Sequence, residues 1–318
     1  MKAVVWTDYG SPDNLQLKDV GKPDPKDDEI LVRVKATSIN SWDWELLSGK
    51  SIFNLGGRLK PKYEILGCDI SGTVERVGKD VRRFHPGDDI FGDISRDNFG
   101  GFAEYVCCRE KVLGQKSSKM SFEEAAAAPQ ASVLALQGLR DKGNIHENQK
   151  VLINGAGGGV GTVAIQIAKS YGAEVTGVDS SEKLDKCLSI GADHVIDYTK
   201  EDFTKKGKSY DLILDVKAQH SVFEYKRALN PKGICVLIGG SDSKIIQAIF
   251  LGSWVLGGKK VRLLLHKPKS SDLEFLNKFY GEGEIKPVVD RIFPLKKVPE
   301  AFRYYAKGSF VGNIVISI

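Results

Sequence analysis

Cysteine and histidine, from which most metal and nucleophile sites are built, are scarce: the 318 residues hold five of each. Cys68, Cys107, Cys108, Cys187 and Cys235 form neither a Cys-x-x-Cys pair nor a dense framework. This excludes a zinc ribbon, a zinc finger and a disulfide-stapled secreted domain, and implies a reduced, cytoplasmic chain. Neighbours on a strand point to opposite faces, so a Cys107–Cys108 disulfide needs a strained backbone. The histidines are scattered, without an evident Ser/His/Asp arrangement. Long apolar runs are also missing. The longest weakly polar stretch, 245–258, contains Gln247 and Ser253 and falls short of the ~20 residues that span a bilayer. Asp8 interrupts the N-terminal apolar run before a signal-peptide core can form. The net charge of +5 is small and no basic block is extended, so neither nucleic-acid binding nor membrane insertion is expected. There is no internal repeat and no Ser/Pro-rich linker.

What is present is globular. Hydrophobic residues make up 42% and charged residues 27%, enough for a packed core, and at roughly 150 residues per domain the length suggests two domains. Residues 1–120 are short β-like runs (3–6, 29–36, 72–77, 89–91, 102–108) broken by glycine and proline, as in a small barrel or sandwich. Pro86-Gly87-Asp88 suits a hairpin corner. From 121 to 264 the pattern alternates. Ser121 with Glu124 forms a capping box; strands are expected at 151–154, 174–178, 195–197, 212–216 and 234–239, with helices at 160–171, 182–190 and 222–229. Gly191 is placed to end the second of these helices. Such alternation implies an α/β domain with a parallel sheet covered by helices. Residues 265–318 return to short strands and proline-containing turns and are expected to rejoin the first domain.

The strongest chemical signal is Asn154-Gly155-Ala156-Gly157-Gly158-Gly159-Val160-Gly161, between the strand 151–154 and the helix that follows. Glycines let backbone N–H groups approach a pyrophosphate, and a helix N-terminus supplies about half a positive charge toward it. The spacing departs from a strict G-x-G-x-x-G, with Ala156, Gly158 and Gly161 in the three places. An ordinary tight turn is the bland alternative, but strand, turn, helix and a carboxylate, Asp179, closing the next strand are the context of a dinucleotide site. Asp179 favours NADH by accepting from the ribose hydroxyls and repelling a 2′-phosphate. Ser180, Ser181, Lys183 and Tyr198 argue for NADPH. Lys183 as an ordinary solvated lysine stands equally open.

Together these residues resemble the medium-chain dehydrogenase/reductase superfamily, in its zinc-free quinone oxidoreductase and enone reductase branch. Further motifs carry the resemblance: Ala36 to Trp44, Leu66-Gly67-Cys68-Asp69, His85-Pro86-Gly87-Asp88, Gly100-Gly101-Phe102-Ala103-Glu104, and Gly191 to Tyr198. Leu263 to Lys269 and the segment 308–315 are similar to the plant chloroplast-envelope type. The resemblance implies a split GroES-like catalytic domain with a Rossmann domain, hydride transfer from NADPH to quinones or α,β-unsaturated carbonyls, and homodimers paired along 261–265. It adds Val216 and Gly239 to the cofactor-contacting set and puts Asn40 and Asp43 on the nicotinamide side, in catalytic roles. Asn40 as the cap of a helical turn over 41–48, with Asp43 fixing its first turn, is the structural alternative, and both can hold.

Zinc-dependent relatives carry Cys where this chain has Asn40 and His-Glu where it has Cys68-Asp69, and no cysteine lies between Cys108 and Cys187. No catalytic zinc is therefore expected, and Cys68 reads as a packing residue. Glu45, Leu134, Asn313 and the Val216-Lys217-Ala218 turn depart from the branch's pattern and leave substrate and cofactor preference open. The loops 49–63 and 240–258 are the expected pocket walls. A cofactor-binding protein without notable catalysis (a sensor, or a crystallin-like or RNA-associated relative) is the alternative class; cofactor binding without turnover would mark it.

Overall fold

Strand Glu29–Ile39 organises the first of two units. It is rich in β-branched residues, and along it only Arg33 is exposed. It pairs antiparallel with Asp69–Val77, with Tyr105–Arg109 and with Asn313–Ser317. Asp89–Asp93 and Leu113–Gln115 extend the seven-stranded sheet on one side, and Val289–Pro294 closes the other. Lys2–Val5 and Gln16–Asp19 form a separate ribbon. In the computed structural model, residues 1–49, 61–205, 207–239 and 258–318 are described. One core packs Ile30, Val32, Ile70, Val74, Phe84 and Ile90. A second joins Trp6, Leu47, Leu66, Phe102, Phe302 and Ile314. The Pro86-Gly87 corner is present, with Gly87 at φ +96°.

The second unit, Ala131–Lys267, is a six-stranded parallel sheet in the order His194–Asp197, Glu174–Asp179, Lys150–Asn154, Tyr210–Asp215, Leu229–Leu237, Lys260–Leu263. The central strand Lys150–Asn154 came first in the chain, and its two neighbours were added on opposite sides. That reversal is the switch point at whose carboxyl edge ligands bind in doubly wound sheets. Helix Gly159–Ser170 buries Val163, Ala164, Ile165, Ile167 and Ala168. Helix Ser181–Ser189 ends before Gly191, which is at φ +109°.

Three features differ from the sequence reading. The units divide after Gln130 and after Lys267, rather than after 120 and 264. Helix Phe122–Ala126, with the expected capping box, therefore belongs to the first unit: Ser71 donates its hydroxyl to the Phe122 carbonyl, and Ala126 packs on Ala36 and Val315. Secondly, a helix at Pro129–Leu136 continues as a π-helical run, Gln137–Lys142, where the sequence pattern marks no element. Thirdly, the segment read as strands and turns beyond 265 contains two helices, Ser270–Glu282 and Val298–Lys307. Pro299 lies in the first turn of the latter, where its missing N–H costs nothing, and left-handed Gly283 and Gly308 end the two helices.

Candidate active site

The glycine turn leaves the sheet at Asn154. Gly155, at φ +86°, and Ala156 both donate their N–H groups to the Val178 carbonyl, at 2.9 and 3.0 Å. The turn is thereby pinned to the neighbouring strand. Three glycines have three different reasons. A Cβ at Gly161 would meet the Gly155 carbonyl oxygen at 2.1 Å and the Ala156 Cα at 2.6 Å, so Gly161 is dictated by helix–turn packing. A Cβ at Gly157 would strike the Lys183 stem at 2.8 Å. A Cβ at Gly158 would find nothing nearer than the Gly155 oxygen at 3.5 Å. Gly158 caps helix Gly159–Ser170, so the space its missing side chain leaves open lies at the first-turn N–H groups of Gly159, Val160 and Gly161. Those groups have no intrahelical acceptor and carry the positive end of the helix dipole. The cradle fits an anion of pyrophosphate type. Val216 lies beside the start of the turn, donating its N–H to the Asn154 carbonyl at 3.0 Å, and Gly239 stands at φ +70°. Buried Asp215 accepts the N–H groups of Lys217 and Ala218 at 2.8 and 2.7 Å and so holds the Val216-Lys217-Ala218 turn, in which Ala218 stands at a left-handed φ of +43° where the branch has glycine. Asp215 also receives the Asn154 amide and the Tyr225 hydroxyl.

Asp179 and its neighbours form the rim. The Asp179 carboxylate is buried and turned into the glycine turn, where it accepts from Gly157 N–H at 2.8 Å and Ser180 N–H at 2.9 Å. Lys183 is not a solvated lysine: its ammonium lies 3.8 Å from Asp179 and its side chain is 9% exposed. Tyr198 is 61% exposed. Ser181 donates its hydroxyl to a second carboxylate, Asp197, which also receives the N–H and hydroxyl of Thr199. These hydrogen bonds hold the Asp197 carboxyl well below the usual range. Asp197, Lys200 and Asp215 were missed as site residues in the sequence reading; only the strand-ending position of each aspartate marks it there.

In the first unit, Asn40 precedes helix Ser41–Ser48 in the cap position, and Asp43 reaches back to accept the Asn40 N–H at 2.9 Å. The structural alternative for this pair thus holds. Asp43 also accepts the Gly67 N–H at 2.8 Å and lies 3.7 Å from the Cys68 sulfur. The Asn40 amide donates to Ser38 Oγ at 3.2 Å and to Cys68 Sγ at 3.3 Å. Gln130, at the start of its helix, offers its side-chain amide to Cys68 at 3.6 Å and its N–H to Asp69 at 3.0 Å. Burial drives the Asp43 carboxyl up to about 7. Burial, followed by the Asp93 charge, raises Asp69, and burial followed by the three neighbouring carboxylates raises the Cys68 thiol. Gln130 and Asp93 were not anticipated.

Among the described residues, two groups bring three potential metal donors within 4.8 Å of one another: Cys68, Asp69 and Asp93, and Asp202, His220 and Glu224. In the second, Asp202 is engaged by Thr204 and Glu224 by Ser221, as caps and turn fasteners. The expected pocket walls at 49–63 and 240–258 fall largely outside the described residues.

Residues 26–118 match the alcohol dehydrogenase GroES-like domain, and residues 190–316 match the zinc-binding dehydrogenase family. The chain is 34% identical over 327 residues to 2-methylene-furan-3-one reductase of Solanum lycopersicum, covering 99% of this chain and 79% of that protein. It is 31% identical over 339 residues to the chloroplastic NADPH-dependent alkenal/one oxidoreductase of Arabidopsis thaliana, covering 99% and 79%. The quinone oxidoreductase structure from Coxiella burnetii, 29% identical, superposes with a TM-score of 0.89 over 100% of this chain and 99% of that one. With its GroES-like sheet and Rossmann-type parallel sheet, the chain belongs to the medium-chain dehydrogenase/reductase superfamily, in the quinone oxidoreductase and enone reductase branch.

Proposed function

We propose that the protein is a zinc-independent NAD(P)H-dependent reductase of quinones or α,β-unsaturated carbonyls. The observation that carries this is the open space at Gly158 in front of the helix N-terminus, in a chain whose relatives are named as reductases of these substrates. The turn from Gly155 to Gly161 receives the pyrophosphate, Val216 and Gly239 flank it, and the rim around Asp179, Ser180, Ser181, Lys183 and Tyr198 receives the adenosine ribose. When bound, the nicotinamide supplies a hydride. Conjugation spreads the resulting negative charge onto the substrate oxygen, which water then protonates, so a dedicated acid is not required. Asn40 and Asp43 serve the nicotinamide side: Asp43 locks the backbone of Asn40 and Gly67, and that fixes the Asn40 amide.

Zinc independence is supported by the donor set. Asn40 and Gln130 offer neutral amides to the Cys68 sulfur, where a catalytic zinc site takes Cys, His or carboxylate ligands. NADPH is modestly preferred, because Asp179 spends its carboxylate on two backbone N–H groups and Lys183. A reducing, cytoplasmic setting is supported by five free cysteines, four of them buried. Among the described residues, no helix is long and apolar enough to cross a membrane. A homodimer through the edge strand Lys260–Leu263 completes the reading. Leu265, 68% exposed beside that edge, is its natural test, since Leu265→Asp should shift sedimentation toward the monomer. The decisive experiment is a panel of quinones and enones assayed with NADH and NADPH in parallel. Turnover of several members supports the reading; bound cofactor with no turnover on any member overturns it.

A further inference from the structure

The ribose rim holds two lysine–aspartate pairs of opposite character. Asp179 and Asp197 are register partners at the ends of neighbouring parallel strands, so their carboxylates share the carboxyl edge of the sheet. Lys183 is withdrawn: its ammonium is 3.8 Å from Asp179, both side chains are less than a tenth exposed, and its stem packs against Gly157. Lys200 is presented. Its ammonium lies 3.1 Å from Asp197 and 3.3 Å from the Ser181 hydroxyl, and its side chain is 73% exposed.

We propose that Lys200 is the cation that meets the 2′-phosphate of NADPH, with Asp197 as its positioning residue. This rests on the dinucleotide reading above. An ammonium is a compact charge with three rotatable donors, suited to a phosphate oxygen that arrives from solvent. Lys200 sits in the tight turn after strand His194–Asp197, where the N–H groups of Lys200 and Glu201 both return to the Asp197 carbonyl, so its base is fixed at the rim. Asp197 can release it at little cost. Its carboxylate keeps the Ser181 hydroxyl and both Thr199 donors when the ammonium turns to a phosphate. Lys183 has no such freedom, because its own side chain is 9% exposed and its stem packs against Gly157, so its ammonium cannot turn to solvent without unpacking. Ser181, whose hydroxyl is engaged by Asp197, orients Lys200 and leaves the phosphate to it.

The test uses the full chain with a quinone acceptor, reading kcat/KM and nicotinamide fluorescence titrations for NADPH and NADH. Lys200→Ala should lower the NADPH-over-NADH ratio about fivefold, through KM rather than kcat. Lys200→Arg should hold the ratio to within about twofold of the parent, since charge and reach are kept. Lys205→Ala removes a similar exposed lysine, 3.2 Å from Asp202, and should move the ratio less. A ratio unmoved by Lys200→Ala, or moved as far by Lys205→Ala, overturns the assignment while leaving the dinucleotide site standing. Failure of the parent protein to bind either dinucleotide overturns the underlying reading instead.

Discussion

The Asp179 carboxylate lies 2.8 Å from the Gly157 nitrogen, folded into the phosphate-binding turn. A residue that normally faces the ribose here also fastens the loop, so its replacement acts on both selectivity and stability. Asp179→Ser should raise the NADPH-over-NADH ratio by removing a negative charge from the rim. It should also cost about 2 kcal/mol, because the buried Gly157 and Ser180 N–H groups lose their carboxylate acceptor. Lys183→Met should lower the ratio, at a similar cost. Steady-state kinetics with both cofactors and denaturant melts of both variants check this; a ratio unmoved in either variant would place the ribose elsewhere.

Gly158 and Gly161 should separate binding from folding. Gly158→Val places its side chain in open space before the helix, so the protein should melt within about 1 kcal/mol of the parent yet lose most of its dinucleotide affinity. Gly161→Val drives a Cβ into the Gly155 carbonyl and should cost more than about 3 kcal/mol. Unchanged NAD(P)H affinity in a folded Gly158→Val variant would falsify the cradle.

Asp43 imposes a pH dependence whose sign is set by burial. Its carboxyl is pushed up to about 7 in the folded chain from the ordinary carboxylate value of 3.8. Between those limits the native state binds more protons than the unfolded state at this group, so the contribution of Asp43 to stability is full below about pH 4 and is lost as the pH rises through about 7. Asp43→Asn cannot titrate and should flatten that part of the profile, while losing about 2 kcal/mol because one of two backbone N–H groups meets an amide nitrogen. Urea melts of both proteins from acid to neutral pH give the comparison. A parent profile that rises toward neutral pH, with the same slope in the variant, would remove Asp43 as the cause.

Metal content offers a simpler measurement. Purified protein should carry no stoichiometric zinc, and activity should survive a strong chelator, because Asn40 and Gln130 present neutral amides to the Cys68 sulfur. One tightly held zinc per chain, with activity lost on its removal, would contradict the assignment and turn attention to Cys68, Asp69 and Asp93.

The parallel sheet was legible because its strands are short apolar runs separated by helical periods, and the glycine turn because its chemistry is written in consecutive residues. The Ser121 capping box and the Gly191 helix end were legible for the same reason: the partners are local. Asp93 and Gln130 were not, because each joins the Cys68 cluster through pairing or packing across the chain; Asp93 comes opposite Asp69 only by antiparallel register. Lys183 was legible as a rim cation but its burial was not, because helix position alone does not reveal that Asp179 turns inward to meet it. Helix Ser270–Glu282 was hidden by an apolar stripe spread thinly among polar residues, and its stability comes from burying Leu273, Leu276 and Tyr280.

The seven-stranded sheet closes on strands from distant parts of the chain, since Asn313–Ser317 pairs with Glu29–Ile39 and carries Val289–Pro294 beyond it. During translation, Glu29–Ile39 leaves the ribosome hundreds of residues before its partner exists, a wait of roughly half a minute at about 10 residues per second. Ala131–Lys267 is contiguous and can complete its own sheet within that interval. Synthesis therefore imposes an order of assembly in which the nucleotide-cradling unit matures first. A nascent chain stalled short of residue 313 leaves the buried 36–39 end of a central strand as an open edge, which makes that stage the point where chaperone capture and misassembly compete.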